Sequence, residues 1–203
     1  MNTRTRLIVI PALAAAGVMT IAACGSSSSE SSTSSSPSTT TANASAPFGP
    51  GCSAVPTSGP GSVAEMAKVP VGTAAASNPL LTTLAAQVKA AGLGETLNSA
   101  KDITVFAPTN AAFEKVPAAT LQSLTKDPTG ALAYVLKYHV VAGTLTPANL
   151  AGTHMTLEGQ NITVTGSGES FTVNGTAQVV CGNVKTANAT VYVIDGVLVP
   201  PAK

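Results

Sequence analysis

The chain has 203 residues and an almost neutral formal charge, because 10 basic side chains face 9 acidic ones. With only 9% charged residues, it has no basic footprint of the kind that nucleic-acid binding requires. The length favours one domain with a tail over two domains. Trp is absent and aromatic residues make up 3%, so the core must consist of Ala, Val, Leu, Ile and a few Phe side chains.

Residues 1–23 have the composition of a secretory signal peptide. Arg4 and Arg6 precede an apolar run at residues 7–23, which contains Pro11 and ends in small residues. A transmembrane helix is the first alternative, but the run is shorter than the ~20 residues that a span needs and no basic cluster follows it. A plain cleaved signal is the second alternative, and it would not require a Cys at the cleavage point.

Residues 21–24, Ile-Ala-Ala-Cys, resemble a bacterial lipobox. In that motif the Cys thiol is lipidated and the peptide bond before it is then cut. The resemblance implies that the mature protein begins at Cys24 and that acyl chains on Cys24 hold it to a membrane. Several acyl chains give stable anchoring, whereas one gives only marginal binding.

The composition of residues 24–47 predicts a flexible spacer between this anchor and a folded domain. Beyond Cys24 they consist almost entirely of Ser, Thr, Ala, Pro and Asn, which cannot bury enough apolar surface to offset the entropy of ordering. The Gly/Pro-rich residues 48–61 follow and contain Cys52. In an oxidising compartment Cys52 and Cys181 are expected to pair, the alternative being two free thiols.

The first half of the domain contains helical patterns. Asn78 before Pro79 predicts a helix that ends at Gly92, and Asp127 before Pro128 predicts a second one that ends at His139. Residues 118–124 are a shorter helical candidate, and residues 103–106 form a compact strand before Pro108.

The second half has the pattern of an antiparallel meander. The predicted strands lie at residues 155–157, 162–164, 171–173, 178–180 and 190–194. Asn174-Gly175 between two of them is a strong hairpin signal. Helices mainly in the first half and antiparallel strands in the second predict an α+β fold, with a single domain at residues 62–201.

Three polar residues have clear structural interpretations. Asn110 follows a Pro-Thr turn and is expected to cap the next helix. Asp195, followed by Gly, predicts a turn or bulge between two apolar strand pieces at residues 191–194 and 197–199, whose hydrophobicity indicates a central strand covered on both sides. His139 lies on the apolar face of its helix and needs a polar partner if it is buried.

Three segments together resemble the conserved motifs of the fasciclin domain. They are residues 104–113, the pair Tyr138-His139 and residues 191–200. The resemblance covers about residues 62–201 and implies the fasciclin fold. With the lipobox, spacer and paired cysteines, the whole chain is similar to the mycobacterial surface lipoprotein antigens that carry one such domain.

The resemblance also implies a role in adhesion. Fasciclin domains are implicated in cell contact, and the region around the Tyr-His motif is a proposed integrin-contacting surface. Here that region comprises Tyr138, His139 and residues 145–150. Asn149-Leu150 stands where the family often has an acidic residue before Ile or Leu, and the chain lacks Arg-Gly-Asp. Both departures weaken the integrin assignment, because integrins usually need an acidic group in their ligand.

The sequence predicts no enzyme, cofactor or metal site. There are only two His residues, and no nucleophile elbow, zinc-protease motif, Cys-x-x-Cys or phosphate loop occurs. We therefore expect an exported, outward-facing, lipid-anchored protein whose monomeric domain contacts a host cell-surface or matrix protein. The alternative is an envelope module that binds a lipid or other small apolar ligand, because an Ala- and Val-rich core with few aromatic side chains could leave a cavity. A purely structural envelope component is a third possibility.

Overall fold

The computed structural model describes residues 46–201. The α-helices are α1 (Val63–Met66), α2 (Val71–Ser77), α3 (Thr82–Ala90), α4 (Gly94–Ser99), α5 (Asn110–Glu114), α6 (Ala118–Lys126) and α7 (Ala133–Tyr138). Short 3-10 helices lie at Pro50–Ala54 and Pro79–Leu81, and a π-helical turn lies at Pro128–Leu132. The strands are β1 (Ile103–Pro108), β2 (Val140–Ala142), β3 (Gly152–Met155), β4 (Asn161–Ser167), β5 (Ser170–Val173), β6 (Ala177–Lys185) and β7 (Ala189–Ile194).

The strands form one sheet in the order β2-β1-β7-β6-β5-β4-β3. All neighbouring pairs are antiparallel except β1 and β7, which run parallel. The order confirms the predicted α+β class, with most helices before the meander. It also adds a parallel central pair, which the meander pattern does not predict.

The two edges of the sheet come together. Val141 in β2 bridges to Thr156, which follows β3, and the backbone N–H of Leu157 donates to the carbonyl of Val140 at 2.7 Å. Side chains from β1, β2, β4, β5, β6 and β7 pack into a single apolar cluster. The sheet therefore curls around this cluster, which we call the inner core.

The opposite face of the sheet packs against the helices. Apolar side chains of α2, α3, α4 and α7 meet alternate residues of β1, β6 and β7 in a second cluster, the helical core. Every residue of β7 is buried, which confirms the prediction of a central strand covered on both sides. Val191 and Val193 face the helical core, whereas Tyr192 and Ile194 face the inner core.

The predicted helix start at Asn78 is confirmed, although the first turn is a 3-10 helix. The Asn78 side-chain oxygen accepts from the N–H of Leu80 at 2.9 Å. Leu84 and Val88 are the buried face of α3, and Gly92 follows the helix with a positive φ of 67°. A left-handed residue at this position ends the helix without the penalty that a Cβ would cause.

The helix predicted between Asp127 and His139 begins with a wider turn than expected. The Asp127 carboxylate accepts from the N–H groups of Gly130 and Ala131 at 2.9 and 3.0 Å. A Cβ on Gly130 would lie 2.1 Å from this carboxylate, so only Gly allows the close approach. The capped π-helical turn then leads into α7, which ends at His139 as predicted.

The prediction that Asn110 caps its own helix is wrong. Thr109 does so, because its hydroxyl accepts from the N–H of Ala112 at 3.2 Å. Asn110 instead reaches back to the start of α3, where its Oδ1 accepts from the N–H of Thr83 and its Nδ2 donates to the carbonyl of Pro79. It therefore caps α3 from a distant part of the chain.

The predicted strand at residues 197–199 is also wrong. After Ile194 the chain bends, and residues 197–199 form no strand. The N–H of the buried Leu198 donates to Nε2 of His139 and is not available for pairing with a neighbouring strand. The strand expected at residues 155–157 instead ends at Met155, since Thr156 turns back to bond the carbonyl of Gln160.

The structure forms the disulfide between Cys52 and Cys181, which are 129 residues apart. Beside it, Phe48 and Gly182 exchange backbone hydrogen bonds of 3.1 and 2.8 Å. The Gly/Pro-rich segment thus contains the 3-10 helix Pro50–Ala54, held against β6. The predicted signal peptide, Cys24 and nearly all of the predicted spacer lie outside the described residues.

Removing the disulfide should destabilise the domain without changing its topology. We expect the double variant Cys52→Ser/Cys181→Ser to lose about 2–5 kcal/mol of unfolding free energy, because a long loop in the unfolded chain is released. Urea unfolding of the oxidised protein, the reduced protein and the double variant measures this loss. The reduced protein and the variant should agree, and equal stability of all three would contradict the prediction.

Candidate functional site

Tyr138 is buried in the inner core and uses its hydroxyl for structure. The hydroxyl donates to the carbonyl of Asn161 at 3.2 Å and accepts from the side-chain amide of Asn174 at 3.0 Å. These bonds join the end of α7 to β4 and to the turn between β5 and β6. Asn174 and Gly175 have positive φ angles of 51° and 66°, which confirms the predicted hairpin.

His139 is buried, and both ring nitrogens have partners. Its Nδ1 lies 2.8 Å from the carbonyl of Val135, and its Nε2 lies 2.9 Å from the N–H of Leu198. Because Nε2 must accept, Nδ1 carries the proton and donates to Val135. Burial lowers the pKa of His139 to about 4, so the ring is neutral at physiological pH. Its polar partners are therefore α7 and the C-terminal tail.

Residues 145–150 are fixed to the domain at both ends by buried leucines. Leu145 donates its N–H to the hydroxyl of Thr104 at 2.8 Å and accepts from the hydroxyl of Tyr192 at 3.0 Å. Leu150 is completely buried in the inner core. Asn149 is exposed, and its side-chain oxygen accepts from the N–H and hydroxyl of Thr146.

The predicted adhesion candidates do not form one surface. The side chains of Tyr138, His139 and Leu150 are buried and form no part of the outer surface of the domain. Only Asn149 is accessible, and its oxygen is already used to close a turn. Tyr138 and Leu150 pack in the inner core, and the burial of His139 is compensated by hydrogen bonds at both ring nitrogens.

Asp195 closes the bend after β7, as the sequence suggested. Its Oδ1 accepts from the N–H of Gln178 at 2.7 Å, and its Oδ2 lies 3.1 Å from Nζ of Lys115. The same ammonium donates to the backbone carbonyl of Asp195 at 2.9 Å. The carboxylate thus joins β6, the bend and the end of α5, and its role is structural.

An apolar cleft of about 280 Å³ lies between the helices and the sheet. Its walls come from α2, α3, α4, β1 and the end of α7, and His139 forms part of one wall. Lys137, Thr96 and Leu157 also line it, and all three are exposed. No sequence motif predicts this cleft, and the one signal is the Ala-rich composition of α2 and α3.

Three large apolar side chains in residues 46–201 are exposed. Met155 is 65% exposed, Leu157 is 42% exposed and Val199 is 59% exposed. Met155 ends the edge strand β3 and Leu157 follows it closely in the chain. Within the same residues, no cluster of three or more potential metal ligands occurs. None of the helices there has the length and apolar character needed to cross a membrane.

The buried imidazole should make the domain sensitive to acid. The unfolded chain binds a proton at His139 more readily than the folded chain, so acid favours unfolding. The unfolding free energy should have its full value above pH ~6.5. It should fall by about 3 kcal/mol as the pH approaches ~4. Urea unfolding at a series of pH values measures this dependence.

Two variants assign the effect. His139→Gln should cost about 1–3 kcal/mol at neutral pH, because an amide replaces at most one of the two hydrogen bonds, and it should abolish the His139 contribution to the pH dependence. His154→Gln is the matched control, since His154 makes one bond to the Leu150 carbonyl and lies nearer the surface. An undiminished slope in His139→Gln would assign the acid sensitivity to another group.

Comparison with known proteins identifies close relatives. The chain is 53% identical over 162 residues to "Immunogenic protein MPB70" of Mycobacterium bovis, covering 76% of this chain and 82% of the relative. It is 49% identical over 164 residues to "Cell surface glycolipoprotein MPB83" of the same species, covering 77% of this chain and 73% of the relative. A more distant relative, "Protein sll1483" of Synechocystis, is 41% identical over 132 residues, covering 63% of this chain and 71% of the relative.

A solved structure shares the fold. It is the FAS1 domain pair from the insect cell adhesion molecule fasciclin I, which matches with a TM-score of 0.53 at 19% identity. The match covers 65% of this chain and 51% of that chain, so this chain spans about half of the solved pair. The family model "Fasciclin domain" matches residues 79–200, which include β1, the Tyr138-His139 pair and β7. The chain therefore belongs to the fasciclin domain family.

Proposed function

We propose that this protein is a lipid-anchored cell-surface protein whose fasciclin domain makes adhesive contacts with a host cell or matrix protein. The observation that carries the proposal is its extensive similarity to a cell surface glycolipoprotein, together with the lipobox at Cys24. The fold it shares with a cell adhesion molecule supports the same role. We further propose that the domain acts by binding and not by catalysis.

The exposed apolar residues near β3 are the contact surface that we propose. Met155 and Leu157 are large, accessible and close in sequence, whereas most apolar side chains of the described residues are buried. Apolar groups in the centre of an interface supply much of its binding energy. This surface replaces the Tyr-His region, whose side chains form the interior.

The connection between anchor and domain suits a protein under tension. A force applied at Cys24 would travel along the spacer and reach the folded region near Phe48 and Cys52. The disulfide passes that force directly to Cys181 in β6, which lies between β7 and β5. The covalent link keeps the N-terminal segment attached to the sheet even when its backbone hydrogen bonds break.

The anchor is tested by the variant Cys24→Ala in the native host. We expect it to lose acylation and to move from the membrane fraction to the soluble fraction, or to accumulate unprocessed, because no thiol is available for the lipid. Mass spectrometry of the N-terminal peptide and detergent phase partition measure the two effects. Acylation and partition identical to the wild type would contradict the lipobox assignment.

The contact surface is tested with beads coated with the purified full chain. Met155→Ser/Leu157→Ser should reduce adhesion to host cells or matrix at least about tenfold, because burying each side chain is worth ~1.5–3 kcal/mol. Val199→Ser is the matched control, since it removes a similarly exposed apolar side chain elsewhere.

Urea unfolding of each variant verifies that the domain is intact. Adhesion of wild-type beads no stronger than that of albumin-coated beads would contradict the proposed function. Strong adhesion that the double variant retains would place the contact on another surface.

A further inference from the structure

We propose that the cleft between the helices and the sheet binds a free fatty acid, with its acyl chain in the cleft and its carboxylate at Lys137. This site goes beyond the adhesive function, and neither proposal depends on the other. The cleft volume of about 280 Å³ is near the lower end of the ~300–1,000 Å³ range of small-molecule sites. It therefore suits one unbranched chain of medium length.

Among residues 46–201, no buried side chain that lines the cleft has a polar atom without a hydrogen-bond partner. Most of its wall consists of apolar side chains, including Leu84, Val88 and Val105. His139 is the polar side chain deepest in the wall, and both of its nitrogens already bond to backbone groups. A buried water needs two to four polar partners, so this interior favours an apolar occupant.

Small residues on two neighbouring helices keep the cleft open. Ala75 in α2 and Ala85 in α3 both line it, where larger apolar side chains would fill the space. Cores are normally packed at high density, and an unfilled apolar space costs stability. A ligand that fills the space recovers the lost contacts.

The border of the cleft supplies a single charge. Of the described residues that line the cleft, Lys137 alone has a charged side chain, and it is exposed. Within residues 46–201 the ion pairs are Lys68–Glu65 and Lys115–Asp195, so Lys137 is in neither of them. Thr96 is a second exposed polar residue that lines the cleft. One cation beside an apolar interior matches a monoanion with an apolar tail.

Photoaffinity labelling of the full chain, purified in amphipol, tests the site. The probe is decanoate that carries a photoreactive diazirine on its chain, and mass spectrometry locates the labelled peptides. Labelling should fall on peptides of α3 and α7 and should decrease when unlabelled decanoate competes. Labelling spread over the surface and insensitive to competition would overturn the proposal.

Two pairs of variants test the binding of the acyl chain and the binding of the carboxylate separately. Ala85→Leu should reduce labelling at least about tenfold, since each methylene kept out of the cleft costs about fourfold in affinity. Ala86→Leu, at an exposed position of the same helix, should leave it unchanged. Lys137→Gln should weaken the carboxylate probe about threefold and leave the matching alcohol probe unaffected, whereas Lys126→Gln should alter neither.

The two substitutions test different parts of the site, so a folding defect in one leaves the result of the other informative. Circular dichroism checks each protein, and Lys137→Gln changes only an exposed side chain. Unchanged labelling in a folded Ala85→Leu would overturn the cleft as the site, and equal loss of both probes in Lys137→Gln would overturn the carboxylate contact. Labelling that occurs only in Cys24→Ala would make the chain's own acyl group the occupant and overturn binding of a free fatty acid.

Discussion

The burial of β7 on both faces is the constraint on which the rest of the domain depends. Successive side chains of a strand point to opposite faces, so Val191 and Val193 need one apolar layer while Tyr192 and Ile194 need another. The helices supply the first layer, and the curled sheet supplies the second. Because β1 and β7 run parallel, no hairpin can join them, and the connection from β1 to its antiparallel neighbour β2 contains α5, α6 and α7.

The family motifs are explained by this arrangement. Tyr138 and His139 are adjacent in the chain, but Tyr138 belongs to the inner core and His139 forms a wall of the cleft beside the helical core. Tyr138 holds β4 and a hairpin turn, whereas His139 holds the tail after β7. The motif therefore fixes the end of α7 to both sides of the sheet, and its two side chains are buried.

The sequence predicts those elements whose signals are local. The start of α3, the hairpin turn and the apolar run of β7 are encoded by neighbouring residues, and the structure has all three. The start of α2 lacks such a signal, because the N–H of Val71 bonds to the side chain of Asn188 and the N–H of Gly72 bonds to Asn98. The role of Asn110 also has no local signal, because its hydrogen-bond partners at the start of α3 lie about 30 residues away in the chain. The cleft is likewise formed by side chains that only the tertiary fold brings together.

Long-range polar contacts also explain how the domain can tolerate a cleft beside its helical core. The helical layer consists of short helices rich in Ala, and these bury little apolar area per residue. Asn188 compensates by donating to the carbonyls of Leu97 and Ala100, which fixes α4 to the turn before β7. The disulfide adds stability by restricting the unfolded chain, a contribution that does not depend on how densely the helical core is packed. A domain stabilised in this way can keep small residues along the cleft, where a domain that relied on its core alone would need larger ones.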